Sequence, residues 1–453
     1  MITKYDAIII GSGIGGLATA VLLSHRGMKV LVLEKNGFIG GRLSSYRRGD
    51  YTLDIGGMHI LSQSDKGPVG DIFRRIAIPN PIAYTYVRPL SSYKGKTFIF
   101  PHDLNTMVSE KDFSTLMQLL KAIQAMPEKE VKMYDAVDLK LFLFRYINHS
   151  FIYACMTNLC IIWLSLPPWL ASAGEFIRCL QMESRSRASG YPQGGCIAIS
   201  RAFADAVGEF GGEIKTRTKC EKIEVENGRV KGVATRNRFY QADLIISNAD
   251  IKNTVFNLTG PQYFPTDYVN YVKTLTYSWG GMAVDIALDK PLTDYKLLTH
   301  IGFDDPENYF NKLQNGIIPS EIAFMLSVPS NFSSLVTPPG KQLISIGIVS
   351  FPKLNEKKEE MVEAVLASVK KFIPGLQDHI IWVHPSTQKE LEHMVGEEGA
   401  VVGIGQTPEQ SGEKRPKVTS PIEGLYFCGA EAGGTGVGAE LAVSSAIELV
   451  DLL

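Results

Sequence analysis

The apolar residues at the amino end fall into groups with different spacing. Asp6 to Ile10 is a short apolar run, Leu17 to His25 has helical spacing, and Lys29 to Leu33 is a second strand-type run. Between the first two groups lies Gly11-Ser12-Gly13-Ile14-Gly15-Gly16, and Glu34-Lys35 closes the unit. Further on, the spacing predicts helices over Val69 to Ile76, Lys111 to Ala125 and Glu356 to Phe372, with a long apolar helical stretch over Val137 to Trp163. Strands are predicted in KGKTFIF, over Val230 to Ala234 and Asp243 to Ser247, and in SWGGMAVDIAL, EIAFMLSVPS and QLISIGIVSFP. Leu425 to Cys428 reads as a strand and Gly436 to Leu449 as a helix, with the Gly-rich loop Gly429 to Gly434 between them. The pattern is that of an α/β chain.

The amino-terminal unit has a physical reading. A strand, a GxGxxG turn, a helix, a second strand and an acid 23 residues beyond Gly11 make a dinucleotide-binding unit. Gly11 permits the tight turn, Gly13 lets the backbone approach a pyrophosphate, and Gly16 lets the helix pack on the sheet. Free N–H groups at the helix start favour phosphate. Glu34 is placed to accept from the hydroxyls of an adenosine ribose, and an acid there disfavours a 2′-phosphate, so NADP is not expected. Asn248-Ala249-Asp250 caps a later helix, and Tyr191-Pro192-Gln193-Gly194-Gly195 reads as a turn leading into one.

At 453 residues two or three domains are expected. With 46 basic and 47 acidic residues the chain gives no electrostatic case for nucleic acid. Six cysteines (155, 160, 179, 196, 220 and 428) without a CxxC pair argue against a disulfide framework or a zinc site and suit a reducing cytoplasm. Met1 to Tyr5 lead directly into the first strand, so no signal peptide is expected. Tyr146 to Gly174 contains no Asp, Glu, Lys or Arg. Asn148, His149, Asn158, Pro167 and Pro168 interrupt it, so it is expected to be a buried or membrane-facing helix rather than a span.

Gly40-Gly41-Arg42 follows the second strand, where glycines admit phosphate and an arginine can neutralise it. Arg47 and Arg48 are read as solvated loop charges. With LDIGG and GGMHIL beyond them, and with YPQGG, GGEI, SNAD and GLYFCGAEAGGTGVGAE in the same order, the chain resembles the flavin-dependent amine oxidase superfamily. It is most similar to the shorter prokaryotic members of the phytoene desaturase-like branch. That resemblance implies a Rossmann-like, discontinuous FAD-binding domain from residues 1–105, 188–260 and 390–453. An inserted α+β substrate domain would take 106–187 and 261–389.

The resemblance implies FAD held by Gly11, Gly13, Ile14, Gly15, Gly16, Glu34, Lys35, Gly40, Gly41 and Arg42. Gly57, Met58 and His59 would lie near the flavin, Cys220 near adenine, and Gly429, Glu431, Gly438 and Ala439 at the other end. His59 is the candidate catalytic residue, as a proton relay; the alternative is a histidine that only orients the cofactor. Trp163, Trp169, Trp279, Phe142 and Phe144 are candidates for an apolar tunnel or for plain core. His149 reads as a core histidine. The expected activity is oxidoreduction at C–C bonds of an apolar, isoprenoid or carotenoid-like substrate by desaturation, saturation or isomerisation. Such a substrate implies peripheral contact with a membrane. The alternatives are an amine oxidase on the same scaffold and a prenyl-binding carrier of the GDP dissociation inhibitor type. Direction and electron acceptor stay open.

Overall fold

The computed structural model describes residues 4–57, 64–85, 87, 89–185 and 189–453. Two seven-stranded sheets organise them. In the first, the spatial order is Cys220–Glu226, Arg229–Thr235, Phe239–Ser247, Lys4–Ile10, Val30–Leu33 and Glu213–Lys215, with Leu425–Phe427 on the free side of Phe239–Ser247. Lys4–Ile10 is parallel to both neighbours. A parallel sheet must be covered on both faces, which is why this strand is a continuous apolar run. Ala7 and Ile9 enter one core and Ile8 and Ile10 the other. The helices Ile14–His25, Ile197–Glu209 and Gly438–Leu452 cover the first of these faces.

In the second sheet the order is Ile380–Ser386, Gly281–Leu288, Gln342–Val349, Phe324–Ser327, Leu297–His300, Leu90–Tyr93 and Lys96–Phe98. It shares one core with the helices Glu110–Ala125, Ser150–Leu164, Ala173–Arg185 and Lys358–Val369.

Several boundaries differ from the expectation. Leu90–Tyr93 and Lys96–Phe98 hydrogen-bond into the second sheet through Leu298 to His300, although they precede the boundary drawn at residue 105. Val137 to Trp163 is not continuous: helix Leu139–Phe144, capped by Asp138, ends before Arg145, and Ser150–Leu164 starts anew from an extended His149. Tyr191 and Pro192 end a strand, Ser189–Pro192, paired with Ile82–Thr85. Arg47 and Arg48 belong to the strand Ser45–Arg48, which pairs with Tyr51–Asp54; their side chains are nonetheless exposed.

One carboxyl interrupts the apolar second sheet. Asp285 is fully buried, opposite Ser345 in the ladder, and its Oδ2 has no hydrogen-bond partner. Burial pushes its pKa from 3.8 up to about 7; nearby Asp54 adds to this and a hydrogen bond with Ser345 opposes it. The folded protein therefore keeps a proton that the unfolded chain releases. The contribution of Asp285 to stability falls as pH rises from about 4 to about 7 and is level above that. At 1.36 kcal/mol per pH unit, the destabilisation above pH 7 is about 4 kcal/mol. Asp285→Asn is expected to flatten the dependence of the urea midpoint between pH 4 and 7 and to raise stability at pH 8. An unchanged slope contradicts this reading of Asp285.

Candidate active site

The turn between the first strand and helix is held by contacts that leave no space for side chains. A Cβ on Gly16 would lie 2.2 Å from the Gly11 carbonyl, and one on Gly15 would lie 2.6 Å from Gly429 Cα. A Cβ on Gly13 would lie 2.6 Å from Asn248 Oδ1. Gly13 also bridges to Gly40, which brings the second glycine pair against the turn. No side chain caps helix Ile14–His25, so its first N–H groups point outward from a positive helix end.

Glu34 stands beside that turn, buried. Its Oε2 accepts from the Ser12 N–H at 2.9 Å and the Ser12 hydroxyl at 2.7 Å, and its Oε1 accepts from the Asn36 N–H at 2.7 Å. A carboxylate has about four lone-pair sites, so these three bonds leave capacity for a ribose hydroxyl.

A cavity of about 1070 Å³ opens from this turn into the second unit. Gly11, Gly13, Ile14, Gly15, Glu34, Lys35, Gly40, Gly41, Arg42, Cys220, Glu431, Gly438 and Ala439 all line it. Three expected residues do not. Gly16 packs the helix onto the turn, Gly429 abuts the Asn248 amide, and Gly57 approaches Ala283 and Ser345 of the second sheet. Met58 and His59 lie outside the described residues. Of the aromatic candidates, Trp163 lines the cavity, Phe142 is core, Trp169 packs with Trp279, and Phe144 is exposed.

Arg42 is not free to meet phosphate alone. Both its terminal nitrogens bond Glu397, one at 2.8 Å, and its Nε donates to the Val401 carbonyl at 3.3 Å. Glu397 sits in Gly396-Glu397-Glu398-Gly399, where all four φ angles are positive. For the two glutamates this left-handed backbone costs roughly 1–2 kcal/mol each, and it turns Glu397 inward. Burial raises the Glu397 pKa, with the Arg42 charge opposing. Glu431 is raised well above the ordinary value by burial, then by Glu397 and Asp250. Asp250 in turn accepts a short hydrogen bond from the Tyr277 hydroxyl. Asn248, Asp250 and Glu397 were missed as site residues. The first two were visible only as a helix cap; for Glu397 the sole signal was an acid pair between two glycines.

Helix Gly438–Leu452 starts without a side-chain cap, with Gly438 and Ala439 in the cavity wall. Two uncapped helix starts, a buried acid beside the first and an arginine in the same wall fit a long dinucleotide with negative charge at its middle.

A family model for flavin containing amine oxidoreductases matches residues 14–453. The chain belongs to that family. It is 27% identical to the chloroplastic prolycopene isomerase of Daucus carota, over 94% of this chain and 76% of that one. To the 4,4'-diapophytoene desaturase (4,4'-diapolycopene-forming) of Methylomonas sp it is 24% identical, over 96% and 92%. Among solved structures, an oxidoreductase from Methanosarcina mazei superposes with a TM-score of 0.79 at 21% identity, covering 98% of this chain and 99% of that one. A putrescine oxidase superposes with a TM-score of 0.73 at 14% identity, over 99% and 98%. These likenesses show a shared fold. This flavin amine oxidoreductase family member is an FAD-dependent oxidoreductase with a Rossmann-like FAD-binding unit and a substrate unit.

Glu34→Ala is expected to weaken FAD binding at least tenfold, because it removes the acceptor placed to meet a ribose hydroxyl and frees Ser12. Gly13→Val, which drives a side chain into Asn248, is expected to abolish binding. Quenching of flavin fluorescence on titration checks both; wild-type affinity in either variant contradicts the placement.

Proposed function

We propose that the protein acts on C–C bonds of an isoprenoid polyene held in the apolar half of the cavity. The observation that carries this is the change of lining along one continuous space. The half beside Glu34 is polar, and the other is walled by Ile162, Trp163, Met282, Phe303, Phe310 and Phe324. Bound FAD supplies a two-electron acceptor for hydride taken from carbon. The chain's own part is to position and dry the substrate: the aromatic and aliphatic wall excludes water and offers a long apolar ligand no competing charge. The uncapped start of Gly438–Leu452 favours negative charge growing opposite it. The names of the curated relatives, a prolycopene isomerase and a diapophytoene desaturase, support the same substrate class. On this reading the residues named above as lining the polar half hold FAD. Residues 1–89, 189–260 and 390–453 make the FAD-binding domain, and the rest the substrate domain.

An apolar substrate must arrive from a membrane or a carrier. No helix among the described residues is long and apolar enough to cross a membrane. Within the stretch expected to be buried or membrane-facing, Ile161 to Trp163 line the cavity. Among the exposed apolar side chains, Leu141, Phe144 and Tyr146 lie close together in the chain, with Leu170 beside them through backbone bonds from Lys140 to Pro168 and from Leu139 to Ala171. Lys140 and Arg145 flank them. This short amphipathic surface is the membrane-facing element of the proposal.

Purified FAD-loaded protein is expected to convert poly-cis or partly saturated C40 polyenes in liposomes, detected by chromatography, and to leave its flavin oxidised with putrescine under anaerobic conditions. Bleaching by amines with no polyene converted would favour an amine oxidase. Leu141→Ser with Phe144→Ser is expected to lower liposome binding more than tenfold, since each side chain contributes about 1.5–3 kcal/mol when buried. Undiminished sedimentation with liposomes removes this face from the proposal.

A further inference from the structure

Asn158 stands in the middle of the helix Ser150–Leu164, whose neighbouring cavity-lining residues are Leu159, Ile161, Ile162 and Trp163. It lines the cavity, is 7% exposed, and its amide forms no hydrogen bond with any described residue. A side-chain amide offers two donors and two acceptor sites. The Ser91 and Thr299 hydroxyls in the same wall bond each other at 3.2 Å. An amide kept bare in an apolar wall costs stability unless a ligand or water meets it.

Its position along the helix fixes its part in the site. The helix ends at Ser165, whose carbonyl accepts from the Trp279 N–H at 2.9 Å. Gly280 and Gly281, just beyond Trp279, line the cavity, and Ser278 N–H bonds the Gly403 carbonyl beside Glu431. That end of the helix therefore faces the FAD-binding half. Asn158 lies seven residues back on the same face, about 10 Å along the axis.

We infer that Asn158 is a specificity-determining residue that hydrogen-bonds an oxygen carried by the isoprenoid, so the preferred substrate is an oxygenated polyene rather than a pure hydrocarbon. The inference rests on the isoprenoid reading of the apolar half. A hydrocarbon filling this space strips water from the amide and returns nothing, whereas a hydroxyl or carbonyl replaces the lost bond. Sites built to hydrogen-bond a substrate oxygen discriminate strongly against the analogue that lacks it. Because the contact is remote from the FAD-facing end, it sets how far the chain slides in, and so which bond is presented to the cofactor.

The test is binding of lycopene and of its mono-hydroxylated and mono-aldehyde derivatives to FAD-loaded protein, read by quenching of tryptophan fluorescence. Wild type is expected to bind an oxygenated derivative at least tenfold more tightly than lycopene, about 1.4 kcal/mol. Asn158→Leu is expected to bring the ratio within twofold, tightening lycopene and loosening the derivative. Asn158→Ala, which removes the amide without adding bulk, serves if the leucine variant fails to load FAD. Equal affinities in wild type, or a preference that survives in the folded variant, overturns the inference. If no polyene binds wild type at all, the isoprenoid reading falls, and this inference with it.

Discussion

The contact on which the rest depends is the wedge formed by Asn248 between two glycine turns. Its N–H bonds the Ile10 carbonyl at 2.8 Å and its side chain donates to the Cys428 carbonyl at 3.1 Å. Gly13, Gly16 and Gly429 all lack side chains where this asparagine lies. Three segments hundreds of residues apart are thereby fixed against one another, and each delivers a helix or loop to the same cavity. Any Cβ there moves the backbone away from the space a pyrophosphate needs. The discontinuity of the FAD-binding unit thus follows from local packing.

Much of this unit was legible because its physics is local. A strand, a glycine turn and a helix lie within thirty residues, and the apolar run Ala7 to Ile10 announces a strand covered on both faces. The carboxyl-terminal loop and helix were legible for the same reason. What was not legible depends on long-range pairing. Nothing near Leu90 or Lys96 says that these strands join Leu297–His300, more than two hundred residues later. Arg42 was read as a phosphate ligand because no local feature reveals Glu397, which reaches it across 355 positions. Val137 to Trp163 reads as one helical stretch because hydrophobicity alone does not show the break before the extended His149.

The cavity places opposite demands on its two halves. The polar half gathers Glu34, Asp250, Glu397 and Glu431 with Arg42 in a low-dielectric space, so burial and mutual repulsion hold Glu397 and Glu431 toward their neutral forms. The other half removes charge almost entirely. A cofactor with a charged middle and a flat redox ring bridges these environments, and a polyene requires the second. A putrescine oxidase shares this fold, and a fold does not by itself set the chemistry of the site it carries.

On the proposed function, FAD and polyene share this one space. The most direct measurement is the anaerobic difference spectrum of the flavin as a polyene is added, in wild type and in Phe310→Arg, which puts a charge into the apolar wall. A saturable shift of the flavin bands is expected in wild type and is lost in Phe310→Arg while FAD content is unchanged. A flavin spectrum indifferent to the polyene, or a shift that persists in the variant, would contradict it.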